Sequence, residues 1–208
     1  MSNIDLGARR HAPATARNRQ FIRDVLRGAL PARGTVLETA SGSGEHAVYL
    51  AEQLPALHWA PSDLEDENLA SIAAWAAEAG LPNLLAPRRI DVTADDWGVA
   101  DIAADLAVVM NANMIHIAPW AVCEGLMAGA GRLLPSGGLL YMYGPYFRDG
   151  VPTAESNLAF DASLRQRNPA WGIRNLADVA ACAAASGLRL AEVVEMPANN
   201  LSVLFRRD

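Results

Sequence analysis

Hydrophobic residues along this chain alternate between helical spacing and short, nearly unbroken runs. In residues 16–30 (ARNRQFIRDVLRGAL), Phe21, Ile22, Val25, Leu26 and Leu30 recur at the intervals of one helix face. GTVLETA (34–40) reads as a first strand ending in a glycine turn. GEHAVYLAEQL (44–54) predicts a helix closed by Pro55, and LHWAPSD (57–63) a second strand. ENLASIAAWAAEAG (67–80) predicts a helix with Gly80 beyond its end. LLAPRRIDV (84–92) and DLAVVM (105–110) predict a third and a fourth strand. APWAVCEGLMAGAGRLL (118–134) predicts a helix with Pro119 in its first turn, and GGLLYMYGPY (137–146) a fifth strand. Two more helices, 154–167 and 175–186, precede two final strands, 188–196 and 200–207, joined by PANN.

Strands alternating with helices predict an α/β fold with a doubly wound, mostly parallel sheet. The last two strands have no helix between them, so they predict an antiparallel C-terminal hairpin. No repeat or linker interrupts the pattern, which reads as one domain over 1–208. In such sheets ligands bind at the carboxyl ends of the strands. Those ends are the stretches after Ala40, Ser62, Ile90, Met110 and Tyr143.

Composition narrows the function classes. Hydrophobic residues make up 51% of the 208 and charged residues 19%, enough apolar material for a sizeable core. The net charge of -6 counts against a nucleic-acid binder, which needs a basic face to displace counterions. No apolar run approaches the roughly 20 residues that span a bilayer. The polar start of the chain lacks the apolar core of a signal peptide, and Cys123 and Cys182 lie outside any C-x-x-C pair. Buried free thiols and a cytoplasmic setting are therefore expected. His11, His46, His58 and His116 show no metal-ligand spacing, so no metal is expected.

The first turn carries the most specific chemistry. LETASGSGEHA places Glu38, Gly42 and Gly44 between strand and helix. It lacks the Gly-Lys-Ser/Thr of a P-loop, the G-x-S-x-G of a hydrolase elbow and the dinucleotide spacing G-x-G-x-x-G. A carboxylate at Glu38 would repel a pyrophosphate and attract a cation. Asp63 closes the second strand, where an acidic side chain accepts hydrogen bonds from ribose hydroxyls. The competing reading of Asp63 is a helix cap. IDV at the third strand end offers Asp91 to an adenine amino group. A nucleoside with ribose and a cationic amino-acid tail, but no phosphate, describes S-adenosylmethionine.

Longer motifs then coincide. PATARNRQFI, VLETASGSGEHAVYLA, WAPSD, NANMIHIAPW, YGPY, SNLAFDASLRQRNPAWGIR and MPANNLSVLFR together resemble the methyltransferase-like 26 family, once described as a bacterial domain of unknown function. That family is similar to class I S-adenosylmethionine-dependent methyltransferases. The resemblance implies a Rossmann-like, seven-stranded sheet and a methyl-donor site, and supplies no acceptor. The class pattern acidic-x-Gly-x-Gly-x-Gly reads Glu38, Ala40, Gly42, Gly44 in this chain. Alanine replaces the first glycine, which is tolerable if residue 40 keeps a negative φ. The expected cofactor set is Glu38, Ala40, Gly42, Gly44, Asp63, Asp91, Val92 and Asn111.

In class I folds the segment after the fourth strand faces the methyl group, which points to Asn111, Asn113, Met114 and His116. Asn113 could orient an acceptor, His116 could take its proton near neutral pH, and Tyr146 could wall the pocket. A capping or buried structural role for His116 competes with this, and Met114 and Trp120 read as packing residues. Asn157, Arg165, Trp171 and Arg174 fall in a 145–175 insertion expected to cover the acceptor. A solvated or salt-bridged helix face is the alternative for both arginines. Residues 1–33, with Arg17, Asn18 and Arg19, are the candidate N-terminal helix and lid. The expectation is a methyltransferase acting on a small molecule, with no nucleic acid and no membrane as partner; oligomeric state is not readable. Two rivals stay open: a non-catalytic protein that binds S-adenosylmethionine or S-adenosylhomocysteine, and an NAD-dependent oxidoreductase. Glu38 and the missing dinucleotide spacing weigh against the second.

Overall fold

A computed structural model describes residues 4–208. The described residues form two compact units, one of 4–91 and Trp97–Met110, the other of Val92–Asp96 and Asn111–Asp208.

The first unit holds α1 (Pro13–Ala29), β1 (Gly34–Thr39), α2 (Glu45–Gln53), β2 (Leu57–Asp63), α3 (Asp66–Ala79), β3 (Arg88–Arg89) and most of β4 (Leu106–Ala112). Helix α1 begins three residues earlier than its periodicity suggested, because Pro13 fits a first helical position whose N–H needs no partner. β1 pairs in parallel with β2 from Gly34–Leu57 to Glu38–Pro61. Val36, Leu37, Trp59 and Ala60 are fully buried in these strands, as parallel strands covered on both faces require. Asp66 and Glu67 open α3, where negative charge suits the helix dipole, and Gly80 ends it in the left-handed conformation.

The second unit contains α4 (Trp120–Leu133), β5 (Leu139–Gly144), β6 (Tyr146–Phe147), α5 (Glu155–Arg167), β7 (Arg174–Asn175), α6 (Leu176–Ala185), β8 (Leu188–Met196) and β9 (Asn200–Arg207). β9 runs antiparallel to β5 and to β8, which gives the expected C-terminal hairpin. Most of β8 between its ends is exposed or half-buried, it carries Arg189, Glu192 and Glu195, and its register slips between Leu190 and Glu192. Charges and a bulge of this kind discourage pairing at a sheet edge. The strand order is β3-β2-β1-β4-β5-β9-β8, a seven-stranded, mostly parallel sheet.

Three element boundaries depart from expectation. The strand expected over 84–92 shrinks to Arg88–Arg89 plus one isolated bridge from Leu84 to Trp59. Pro87 has no N–H to give a ladder at that point. Pro119 sits just before α4, in its cap position, and not in the first turn. The run 137–146 splits at Pro145: β5 ends at Gly144, and Tyr146–Phe147 instead pairs in parallel with Arg174–Asn175.

Among the described residues, no helix is long and apolar enough to cross a membrane, and no cluster of three His, Cys, Asp or Glu side chains could hold a metal. Cys123 and Cys182 are free; Cys123 is buried as expected, whereas Cys182 is half-buried. They are also hydrogen-bonded neighbours, and burial, with Cys182 alongside, pushes the Cys123 thiol up to about 12.

Candidate functional site

In the first unit the β1–α2 turn is held by a small network. Ser41 N–H donates to the Ser62 carbonyl (2.8 Å), and both Ser41 Oγ (3.2 Å) and Ser62 Oγ (2.8 Å) donate to the Glu38 carbonyl. The loop between them is left-handed at Ala40 (φ 52), Gly42 (φ 58) and Gly44 (φ 91). Gly44 has a second constraint, since a Cβ there would lie 2.9 Å from Ile72 Cα. The negative φ expected of Ala40 is therefore wrong. The turn into the loop imposes a conformation that costs an L-residue about 1–2 kcal/mol, and the surrounding network holds it there.

Glu38 is only 2% exposed, and among the described residues the donor on its carboxylate is Trp59 Nε1 at 2.6 Å. Burial raises its pKa to about 7, against the opposing pull of the Trp59 bond and with a smaller push from Asp63. A buried carboxylate poised near neutrality favours a cationic ligand. Asp63 is buried and fixes the backbone on both sides of it, although α3 is capped at Glu65 without a side-chain cap bond, so the helix-cap alternative fails. Oδ2 accepts from Gly42 N–H (2.9 Å), while Oδ1 accepts from Glu65 N–H (3.1 Å) and Asn68 Nδ2 (3.0 Å). A carboxylate has about four acceptor sites, so one is left for a ligand hydroxyl. Asp91 is exposed just past β3.

The N-terminal segment packs on the same unit. Ala12 N–H donates to Glu45 (2.6 Å), Arg10 N–H to Ser71 Oγ (2.9 Å), and Ser71 Oγ in turn to the Ser43 carbonyl in the turn (2.7 Å). Asn18 Oδ1 meets His46 Nε2 at 2.8 Å, and Arg19 lies over the Tyr49 ring at 4.6 Å. The first three residues of the proposed 1–33 lid lie outside the described residues.

The second unit gathers Asn113, His116, Tyr146 and Arg174. Asn113 is left-handed (φ 64), and its N–H donates to the Tyr143 carbonyl (2.8 Å), which launches a short turn over Met114–His116. His116 is fully buried. Its carbonyl accepts from Gly172 N–H (2.9 Å), and its Nδ1 from Arg174 N–H (3.4 Å). Burial, reinforced by the Arg174 charge, lowers the His116 pKa to about 3. The expectation that His116 takes a proton near neutral pH fails for that reason. With Nδ1 accepting, the neutral ring carries its proton on Nε2, which has no hydrogen-bond partner. The ring meets Tyr146 edge-on at 5.0 Å, and the Tyr146 hydroxyl is also buried without a partner. Gly144 makes room for the imidazole, because a Cβ there would sit 2.6 Å from Nε2.

Arg174 is half-buried and lies on no helix. It lies in β7, and its guanidinium donates to the carbonyls of Ile115 (2.9 Å), Ala118 (2.6 Å) and Ala170 (2.9 Å) while covering the Trp120 ring. It braces the His116 turn. Arg165 forms an i,i+4 pair with Asp161 at 2.8 Å, and Trp171 lies under Arg167 at 5.4 Å. Asn157 is 8% exposed and donates to the Asn199 carbonyl (2.9 Å). Val92 and Asn111 are buried. Missing from the sequence reading were Trp59 as the partner of Glu38, and a cleft lined by Tyr146, Arg148, Asn157, Glu195 and Asn199. Tyr146 and Asn157 of that lining were singled out from the sequence, whereas Arg148, Glu195 and Asn199 were not; the asparagines of PANN, a residue type that tolerates left-handed backbone, were the signal available for Asn199.

Solved structures share this architecture. The methyltransferase CalO1 of calicheamicin biosynthesis, in its S-adenosylhomocysteine-bound form, aligns at TM-score 0.76 with 18% identity, over 94% of this chain and 54% of its own. An O-methyltransferase family 2 protein from Planctomyces limnophilus, in complex with apigenin, gives 0.71 and 19%, over 91% and 62%. A putative O-methyltransferase from Nostoc punctiforme gives 0.77 and 17%, over 93% and 57%. The chain thus spans a little over half the length of these proteins, and what it shares with them is the Rossmann-like methyltransferase fold. Within that fold class, the chain belongs to the family described as Protein of unknown function (DUF938), whose model matches residues 9–207.

Proposed function

We propose that this protein is an S-adenosylmethionine-dependent methyltransferase acting on a small molecule, a cytoplasmic member of the methyltransferase-like 26 family. Glu38 carries this reading. Among the described residues, this carboxylate, buried beside a left-handed glycine loop, has an indole N–H and no counter-charge. A ligand ammonium would supply that charge, whereas a pyrophosphate would be repelled. The residues present fit the cofactor. Glu38 would hold its ammonium, Ala40, Gly42 and Gly44 would admit it to the backbone, and the remaining acceptor site of Asp63 would take a ribose hydroxyl. Asp91 would meet the adenine amino group; Val92 and Asn111, in the second unit, are the remaining candidates for the cofactor. S-adenosylmethionine, when bound, supplies a methyl group that is already activated.

In the second unit, Asn113, His116 and Tyr146 would face the acceptor, under a cover formed by residues 145–175 with Asn157, Arg165, Trp171 and Arg174. His116 then acts as an N–H donor that orients the acceptor and not as a base. This suits displacement at an activated methyl group, where positioning does most of the work. It requires an acceptor that attacks through a free lone pair or that ionises easily in water. The apigenin bound to the Planctomyces protein supports a small molecule as the acceptor class.

The reading is tested by thermal-shift and calorimetric titration. S-adenosylmethionine and S-adenosylhomocysteine should both stabilise the protein, and NAD should not. Stabilisation by NAD with no response to S-adenosylhomocysteine would sink it. A protein that binds both sulfur nucleosides, yet transfers methyl to none of a broad panel of small acceptors, would be a binding protein instead.

A further inference from the structure

The carboxylate that closes β2 is held by donors shared unequally between its two oxygens. Asp63 Oδ1 accepts from Glu65 N–H (3.1 Å) and from Asn68 Nδ2 (3.0 Å), which fills both of its lone pairs. Among the described residues, Oδ2 accepts from Gly42 N–H (2.9 Å) and from no second donor. The acceptor position still open therefore lies on Oδ2, the oxygen on the side of the β1–α2 turn. Asn68 creates this asymmetry. It sits half-buried in the first turn of α3, five residues after Asp63. Its amide is engaged at both ends, because Oδ1 accepts from Arg10 Nη1 at 2.7 Å while Nδ2 donates to Asp63. Both neighbours demand the same orientation of that amide, since a carboxylate only accepts and a guanidinium only donates. An aspartate at 68 would set a like charge against Asp63, and a lysine would offer Arg10 no acceptor.

Arg10 is placed by its backbone. Its side chain is exposed, and the Glu67 carboxylate 3.6 Å away is more exposed still, so that ion pair contributes little. The Arg10 N–H donates to Ser71 Oγ (2.9 Å), and the Arg10 carbonyl accepts from Trp75 Nε1 (3.0 Å). Ser71 is fully buried and donates in turn to the Ser43 carbonyl (2.7 Å) in the β1–α2 turn. Two residues on, Ala12 N–H donates to Glu45 Oε2 (2.6 Å), which also accepts from Ser43 Oγ (3.0 Å). Residues 10–12 are thus pinned both to α3 and to the turn, the two elements that supply the donors on Asp63.

We infer that Arg10 and Asn68 are positioning residues for the sugar of the ligand. Arg10 orients the Asn68 amide, and Asn68 fills Asp63 Oδ1, so that Oδ2 is left in a fixed place for one ribose hydroxyl. The inference rests on the cofactor reading above, in which Asp63 meets the ribose. It adds that the choice of a hydroxylated sugar is set through Asp63 by residues beyond it, one of them on the N-terminal segment. A direct ion pair between Arg10 and Asp63 would compete for the acceptor position that the hydroxyl needs. A neutral amide between them holds the carboxylate without taking that position.

The test is calorimetric titration of the full chain with S-adenosylhomocysteine and with its 2′-deoxy and 3′-deoxy analogues. Wild type should prefer the parent over one of the two analogues by about tenfold or more, as befits a hydrogen bond to a charged acceptor. Asn68→Ala should cut that preference to about threefold or less, by weakening the parent while the disfavoured analogue stays within about twofold. Arg10→Met should cut the preference by about threefold, and Arg10→Lys, which keeps a donor for the Asn68 oxygen, should restore most of it. Arg10 is exposed, so its variants decide the matter if Asn68→Ala does not fold. Parent and analogues weakened in equal proportion would assign both residues a structural role and overturn the inference. Variants that keep the wild-type preference would overturn it too, as would a wild type that prefers the parent to neither analogue. In each of those cases, binding of the parent by wild type leaves the cofactor reading standing. A wild type that does not bind S-adenosylhomocysteine would overturn both.

Discussion

Glu38→Gln will make the ligand-free protein more stable at pH 8 and abolish S-adenosylhomocysteine binding. The wild-type carboxyl is buried at 2% exposure, and burial lifts its pKa from 4.5 to about 7. Because the folded pKa is raised, the folded state holds its proton more tightly than the unfolded chain between those values. The Glu38 contribution to stability is thus fully present below about pH 4.5 and is lost as pH rises through about 7. Glutamine has no charge to desolvate, and its side-chain oxygen can still accept from Trp59 Nε1. The variant should gain about 2–3 kcal/mol over wild type at pH 8, or several degrees in melting temperature, and the gain should shrink toward pH 5. Ligand affinity should move the opposite way, since the neutral amide cannot balance an ammonium. Differential scanning calorimetry from pH 5 to 8, paired with titration calorimetry, reads both. A variant that melts below wild type at pH 8, or that binds the nucleoside as tightly, would remove Glu38 from this role.

Gly131→Ala should destabilise the protein by about 3 kcal/mol or more, although alanine is the better helix former by about 1 kcal/mol. A Cβ at Gly131 in α4 would lie 2.2 Å from the Ser186 carbonyl oxygen at the end of α6. That obstacle is backbone, and it is tied down. Ser186 N–H donates to the Ala183 carbonyl (2.9 Å) and Gly187 N–H to that of Ala184 (3.0 Å). Arg207 clamps both sides, donating from Nε to the Gly131 carbonyl (2.7 Å) and from Nη1 to that of Gly187 (3.1 Å). The helices cannot part without breaking these bonds. The internal control is Gly28→Ala in α1, where a Cβ meets nothing within 4 Å and stability should hold or rise. If Gly131→Ala melts within a degree of wild type, the close approach is not a real constraint.

The strands of the sheet were legible where burial on both faces leaves a nearly unbroken apolar run, as in DLAVVM, or where a short strand pattern stops at a glycine turn, as in GTVLETA. The third was overread because apolar residues continue through Leu84–Pro87, and one missing N–H decides the pairing. β6 and β7 were invisible, since two residues have no period to detect. At the site, the loop carboxylate and Asp63 could be picked out by position, but their partners could not. Trp59 lies 21 residues from Glu38 and reaches it only through the parallel pairing of β1 with β2. His116 was read by its ordinary titration range, which burial removes. Arg174 was read as a surface charge, whereas its partners are backbone carbonyls, which leave no mark in a sequence. The conformation of Ala40 ran against the usual preference of alanine and followed from the turn.

A histidine that stays neutral down to about pH 3 has a bearing on how the natural acceptor could be recognised. If the chain is the proposed methyltransferase, His116 adds no inflection of its own to the rate between mildly acidic and mildly alkaline pH. Glu38, raised to about 7 in the free protein, would be held charged by a bound ammonium at saturating cofactor, so an inflection in that profile would belong to the reacting molecule. A curve that rises with one midpoint would give the acidity of the attacking group, and so separate amines from phenols, thiols and carboxylic acids before the compound itself is known.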